Sequence, residues 1–136
     1  MHGQIHSKTL PSLDQEKSRA ELAKMTIRLF KHWGLDTATQ LNLLGLSETS
    51  RAMLSKYATG DHALQNTRDA LDRVGWLMAI HKALRLLYPH NEELRYSWVT
   101  RRNAAFNHRM PLETMKEEGL IGIAKVSRYL DFLRGQ

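Results

Sequence analysis

Apolar side chains recur along this chain at spacings of three and four, broken by short glycine- or proline-bearing segments, and that pattern predicts a series of amphipathic helices. Residues 1–13 are polar, carry Pro11 and show no period, which predicts a disordered tail. Asp14 is placed to cap a first helix in which Leu22, Ala23, Thr26, Ile27, Leu29, Phe30 and Trp33 form one broad apolar stripe, with Gly34 as its stop. A short second helix is expected after Asp36, through Thr37, Ala38, Leu41 and Leu44, ending at Gly45. Ser47 is then placed to cap, and helical spacing resumes over 49–57 through Ala52, Met53, Leu54 and Tyr57. The longest pattern spans 65–88. It carries Val74, Leu77, Leu84 and Tyr88 on one face and Trp76, Ile80, Ala83 and Leu87 on another. A helix apolar over so much of its circumference is either central to the core or paired with a second copy. Gly75 within it costs about 1 kcal/mol relative to alanine unless a neighbouring helix approaches closely. His81 on the first face reads as a hydrogen-bonded core histidine rather than a ligand. Pro89 stops this helix and Asn91 opens the next, with Glu92 and Glu93 in its first turn. A final helix places Ile123, Val126, Leu130 and Leu133 on one inward face. No stretch alternates as a strand does, so the fold class is all-α.

Helix, glycine turn, helix over 37–57 is the pattern of a helix-turn-helix. There the glycine takes a backbone conformation that a side chain disfavours, Leu46 plugs the angle, and the second helix offers its outer face to the DNA major groove. That face is expected to comprise Ser47, Glu48, Thr49, Ser50, Arg51, Ser55 and Lys56.

Between residues 98 and 130 the anchors fall in the order Trp98, Asn103, Phe106, Pro111-Leu112, Met115, Gly119-Leu120, Val126, Leu130. Each has a local reason. Trp98 closes an amphipathic segment, Asn103 can bond its own backbone at a helix exit, Pro111 suits a first helical turn, and Gly119 ends that helix. Their joint order, preceded by Leu87-Tyr88-Pro89, resembles the C-terminal toxin-binding domain of the Xre/MbcA/ParS antitoxins. That family's pattern commonly has a glycine between the equivalents of Phe106 and Pro111, where this chain has Asn107, His108 and Arg109, and often a proline where Arg102 stands. The resemblance implies an Xre-like helix-turn-helix domain over 14–82 and a toxin-binding domain over 83–136. It also implies a partner toxin with a RES or related ADP-ribosyltransferase-like fold, whose active site the antitoxin covers, and a complex that represses its own operon on operator DNA. No cofactor is implied. Within the final helix, Lys125, Arg128, Tyr129, Phe132 and Arg134 are expected to face outward. Aromatic and arginine side chains are common interface anchors, so Arg128, Tyr129, Phe132 and Arg134 are the expected toxin contacts.

Composition changes this picture in three ways. Lys plus Arg number 20 against 14 Asp plus Glu, a net charge of +6, which favours an anionic partner such as nucleic acid. Cysteine is absent, which removes disulfides, thiolate metal sites and cysteine nucleophiles together. No apolar run is long enough to cross a bilayer and the first residues lack the apolar block of a signal peptide, so a cytoplasmic protein with no membrane partner is expected.

The sequence carries no G-x-S-x-G, H-E-x-x-H, P-loop or G-x-G-x-x-G, and His2 and His6 in a tail make a poor metal pair. Gly119-Leu-Ile-Gly122 has the spacing of a KH loop but lacks the strands that fold requires. The expected function is therefore non-enzymatic, and the resemblance implies a type II antitoxin; a homodimer binding DNA is expected with it. The alternatives are a helix-turn-helix regulator with no toxin partner, or a helical adaptor whose basic surface is only solvated.

Overall fold

In a computed structural model the described residues are 15–136. The tail over 1–13, the His2–His6 pair and the Asp14 cap lie outside them. Seven α-helices follow in order: α1 Glu16–His32, α2 Thr37–Leu44, α3 Arg51–Thr59, α4 Arg68–Leu87, α5 Glu92–Ser97, α6 Pro111–Glu118 and α7 Leu120–Arg134. Short 3₁₀ turns occupy Glu48–Ser50, Trp98–Thr100 and Ala104–Phe106. Among the described residues there is no strand, only an isolated antiparallel bridge between Asn103 and Arg109, so the fold is all-α. No helix among them is long and apolar enough to cross a membrane.

Helix boundaries follow side-chain and backbone chemistry. Asp36 caps α2 by accepting a 2.8 Å hydrogen bond from the Thr39 amide, and hydrogen bonding from the Thr39 side chain first and its amide second holds the carboxyl below the usual aspartate range. At the other end Gly45 adopts φ 74°, which lets the Leu46 amide reach the Leu41 carbonyl at 2.9 Å and closes the helix. Thr67 caps α4 by accepting from Ala70, so this helix begins at Arg68, three residues later than the apolar period from position 65 indicates.

Helix α4 is the centre of the core. Val74, Leu77, Ile80, Ala83 and Leu84 are all at most 1% exposed, and the helix packs on α7 along its length and on α1, α2 and α5. Leu77 and Leu84 are covered within a single chain, so they are core residues rather than the contact between two copies. The division at 82/83 falls inside α4, and the buried cluster runs across it, from Phe30 and Leu43 to Met115, Ile123 and Leu130. Within the N-terminal half Arg73 ties α4 to the end of α2: it donates to the Leu43 carbonyl at 3.3 Å and pairs with Asp69 at 2.9 Å while lying against Gly45. Asn42 on α2 donates to the Lys116 carbonyl on α6 at 3.4 Å.

His81 differs from its expected role. Its contact is a ring stack on Tyr96 at 6.1 Å, with His32 stacked on the same tyrosine at 4.3 Å. Burial first, then Arg85, Arg95 and His32, hold its pKa below the ordinary histidine value.

The α6–α7 hairpin turns at Gly119, and three residues later Gly122 sits where a Cβ would lie 2.2 Å from the Thr114 carbonyl oxygen and 2.9 Å from the Glu118 Cβ. Backbone cannot retreat as a flexible side chain can, so only glycine lets the two helices approach this closely. Gly122→Ala should destabilise the fold by about 2–3 kcal/mol, lowering the thermal midpoint by roughly 6–12 °C in a melt followed by circular dichroism. An unchanged midpoint would contradict this close approach.

Candidate functional site

Two surfaces carry the residues singled out by the sequence. The first is built by α2, the Gly45 turn and α3. Leu41, Leu43 and Leu44 of α2 and Leu54 and Tyr57 of α3 are buried, with Leu46 half-buried in the angle between the helices. Burial of Tyr57 pushes its hydroxyl pKa up. The outer face is left to Ser47, Glu48, Thr49, Arg51, Ser55 and Lys56, all exposed, with Ser50 half-buried where the 3₁₀ turn meets α3. Ser47 stands at the cap position, but its hydroxyl meets the Thr49 hydroxyl at 2.6 Å and caps no backbone amide. The segment therefore opens with a 3₁₀ turn, closed by the Ser50 amide on the Ser47 carbonyl at 3.0 Å, and the α-helix starts only at Arg51.

The second surface is built on α5, the loop after it, α6 and α7. Trp98 is 6% exposed and forms one wall of an aromatic cluster. Tyr129 stacks on it at 6.4 Å and meets Phe106 edge-on at 5.3 Å, Phe106 in turn lies edge-on to Trp98 at 6.3 Å, and Phe132 borders Tyr129 at 6.3 Å. Asn103 bonds its own backbone as its residue type allows, accepting from the Ala105 amide at 2.9 Å and exchanging main-chain bonds with Phe106, His108 and Arg109. The loop then passes through two consecutive left-handed residues, Asn107 at φ 58° and His108 at φ 62°. This is where the family pattern commonly carries glycine. Asparagine tolerates that conformation comparatively well and histidine less so. Beyond it Arg109 bridges Glu113 at 3.4 Å and Glu117 in a close bidentate pair. The pairing raises the guanidinium pKa and lowers that of Glu117. Glu113 is lowered chiefly by the Met110 amide, which donates to it at 2.9 Å, so Pro111 opens α6 inside a closed ring of bonds. Met115 is fully buried beneath.

On α7, Ile123, Val126 and Leu130 are wholly buried and Leu133 is half-buried, as the periodicity requires. Lys125, Arg128, Phe132 and Arg134 are exposed. Lys125 pairs with Glu118 at 2.5 Å, Arg134 with Asp131 at 3.3 Å, and the Arg128 guanidinium lies 5.6 Å over the Trp76 ring. Tyr129 departs from the outward placement expected of it: its ring is half-buried among Trp98 and Phe106, because it sits at the seam between the inner and outer faces of the helix. Ile121 went unnoticed in the sequence and is 67% exposed at the start of the same helix. The signal was present, since 121, 125, 128 and 132 fall at i, i+4, i+7 and i+11.

Residues 83–135 match the family described as the antitoxin Xre/MbcA/ParS C-terminal toxin-binding domain. The match covers the loop, the aromatic cluster and all the residues of α7 just described; a domain of this family supports an antitoxin role and implies a toxin as partner. Along nearly its whole length the chain is similar to "Uncharacterized protein y4oB" of Sinorhizobium fredii (strain NBRC 101917 / NGR234), 33% identical over 125 residues that make up 92% of each protein. The chain belongs to the same family as that relative, and its residues 83–135 form an antitoxin Xre/MbcA/ParS C-terminal toxin-binding domain.

The different burial of the two neighbouring aromatics separates scaffold from surface. Tyr129→Ala should cost about 2 kcal/mol by removing ring contacts on three sides, whereas Phe132→Ala should stay within about 0.5 kcal/mol of the parent. Denaturant melts of the two variants check this, and equal losses would contradict the placement of Tyr129.

Proposed function

We propose that the chain neutralises a toxin with a RES or related ADP-ribosyltransferase-like fold by covering its active site, and that it represses its own operon in the cytoplasm by binding operator DNA. The observation that carries the toxin reading is the outer surface of α7 within the toxin-binding domain, where Phe132 is 60% exposed beside Arg128, with Arg134 exposed at the end of the helix. Isolated exposed apolar groups are common, but aromatic and arginine side chains grouped on a helix in a partner-binding domain are the usual anchors of an interface. In this reading Arg128, Phe132 and Arg134 touch the toxin directly, while Tyr129 offers only its edge and holds the helix against Trp98.

The DNA reading is supported by the Gly45 turn, by the exposed row Ser47, Thr49, Arg51, Ser55 and Lys56, and by the net charge of +6. A homodimer would present two such faces to two half-sites. Because Leu77 and Leu84 are buried within one chain, that pairing would use the outer side of α4, where Leu86 is 53% exposed and a Cβ on Gly75 would meet nothing within 4 Å.

Co-expression with the toxin encoded beside it tests the first half. The whole chain should rescue growth. A chain truncated after Val126 removes the last two turns of α7 and should not, and rescue by that truncated chain would place the toxin contact elsewhere. For the second half, Arg51→Ala with Lys56→Ala should weaken binding to promoter DNA and reduce the slope of log affinity against log salt by roughly 2, since each lost phosphate contact releases fewer counterions. A folded double variant with the parent affinity and slope would sink the DNA assignment.

A further inference from the structure

We infer that the partner toxin is engaged along the whole outer stripe of α7, by a helix laid into a groove, with Ile121 and Phe132 as its two end anchors and an acidic rim on the toxin facing Lys125 and Arg128. This rests on the toxin-binding reading above and names the surface and the chemistry that would complement it. Ile121, Lys125, Arg128 and Phe132 share one strip of the helix and span about 16 Å along its axis, at roughly 1.5 Å per residue. Ile121 is 67% and Phe132 60% exposed, the two most exposed large apolar side chains among the described residues. Met25 and Leu86, the other exposed ones, stand on α1 and α4.

The stripe is presented rigidly. Its opposite face is held by Ile123, Val126 and Leu130, all fully buried, and Gly122 clamps α7 to the α6 backbone, so the helix cannot rotate to hide Ile121 or Phe132. Between the anchors, Lys125 is drawn aside to Glu118 and Arg128 lies over Trp76, which fixes both cationic side chains before any partner arrives. A surface ordered in advance loses less conformational entropy on association. Apolar anchors recurring at helical spacing are how an amphipathic helix is read by a hydrophobic groove.

Charge decides the occupant. A second copy laid antiparallel on the stripe would set Lys125 against its counterpart's Arg128, and a parallel one would set each cation against itself. Both arrangements bring like charges together between two chains that already carry +6 each. Duplex DNA would accept the cations but leave Ile121 and Phe132 without a partner. A protein groove with apolar ends and carboxylates along its edge satisfies all four residues, and the stripe lies inside the toxin-binding domain.

Isothermal titration of the purified whole chain against the separately purified neighbouring toxin tests this. Ile121→Glu and Phe132→Glu should each raise Kd at least about thirtyfold, and both should keep the parent melting profile because the side chains are exposed. Lys125→Glu with Arg128→Glu should raise Kd and flatten its dependence on salt, while Met25→Glu on α1 should leave Kd within about twofold. If the wild-type chain does not bind the toxin, the toxin reading itself falls. If it binds and Ile121→Glu and Phe132→Glu each change Kd less than threefold, the stripe is overturned while the toxin reading stands.

Discussion

The packing of α7 along α4 is the contact on which the rest of the molecule depends. Helix α4 is too apolar to stand at a surface, and its Val74, Leu77, Ile80, Ala83 and Leu84 disappear almost entirely between α7 and the helices of the N-terminal half. Removing that much apolar surface from water, at about 1.5–3 kcal/mol for each large side chain, is the main term holding the fold together. Because the same helix serves both halves, the C-terminal domain and the α2–α3 hairpin share one core, although the family match begins at residue 83 in the middle of α4. The Asn42–Lys116 bond ties the seam with a polar contact that a pair of loosely linked domains would lack.

Once the inner face of α7 is committed to α4 and α6, its outer face is fixed by geometry. Gly122 sets how close α7 comes to α6, and the rings of Trp98, Phe106 and Tyr129 brace the loop over 103–110 against the helix. That loop keeps two left-handed residues in place through the Asn103 bonds and the Arg109–Glu117 pair, so its shape is specified despite lacking the glycine that the conformation favours. The surface offered to a partner is a consequence of these buried and bonded contacts.

Much of this was legible in the sequence, for identifiable reasons. Asp36, Gly45 and Pro111 act within one helical turn, so their effects are local and their positions alone place the boundaries of α2 and the start of α6. The inward face of α7 was legible because periodicity reports which side of a helix is apolar. Periodicity does not report what covers the edges of that side, and so Tyr129 was expected outside and Ile121 passed unnoticed. Ser47 was expected to cap an α-helix because its residue type favours caps, but the hydroxyl of Thr49 competes for it at 2.6 Å and the segment opens as a 3₁₀ turn. The left-handed pair at Asn107 and His108 could be suspected only from the missing glycine. The apolar circumference of α4 leaves open whether it is central to one core or paired with a second copy, and only packing between residues distant in the chain decides that both halves share it.

Native-state hydrogen exchange on the whole chain tests the shared core most directly. If one core carries both halves, the slowest amides of α1, α2, α4 and α7 should exchange with the same free energy, equal to that of global unfolding, and should lose protection together as denaturant is raised. A toxin-binding half whose slowest amides open at a lower free energy than those of the N-terminal half, or a second separate transition, would contradict it.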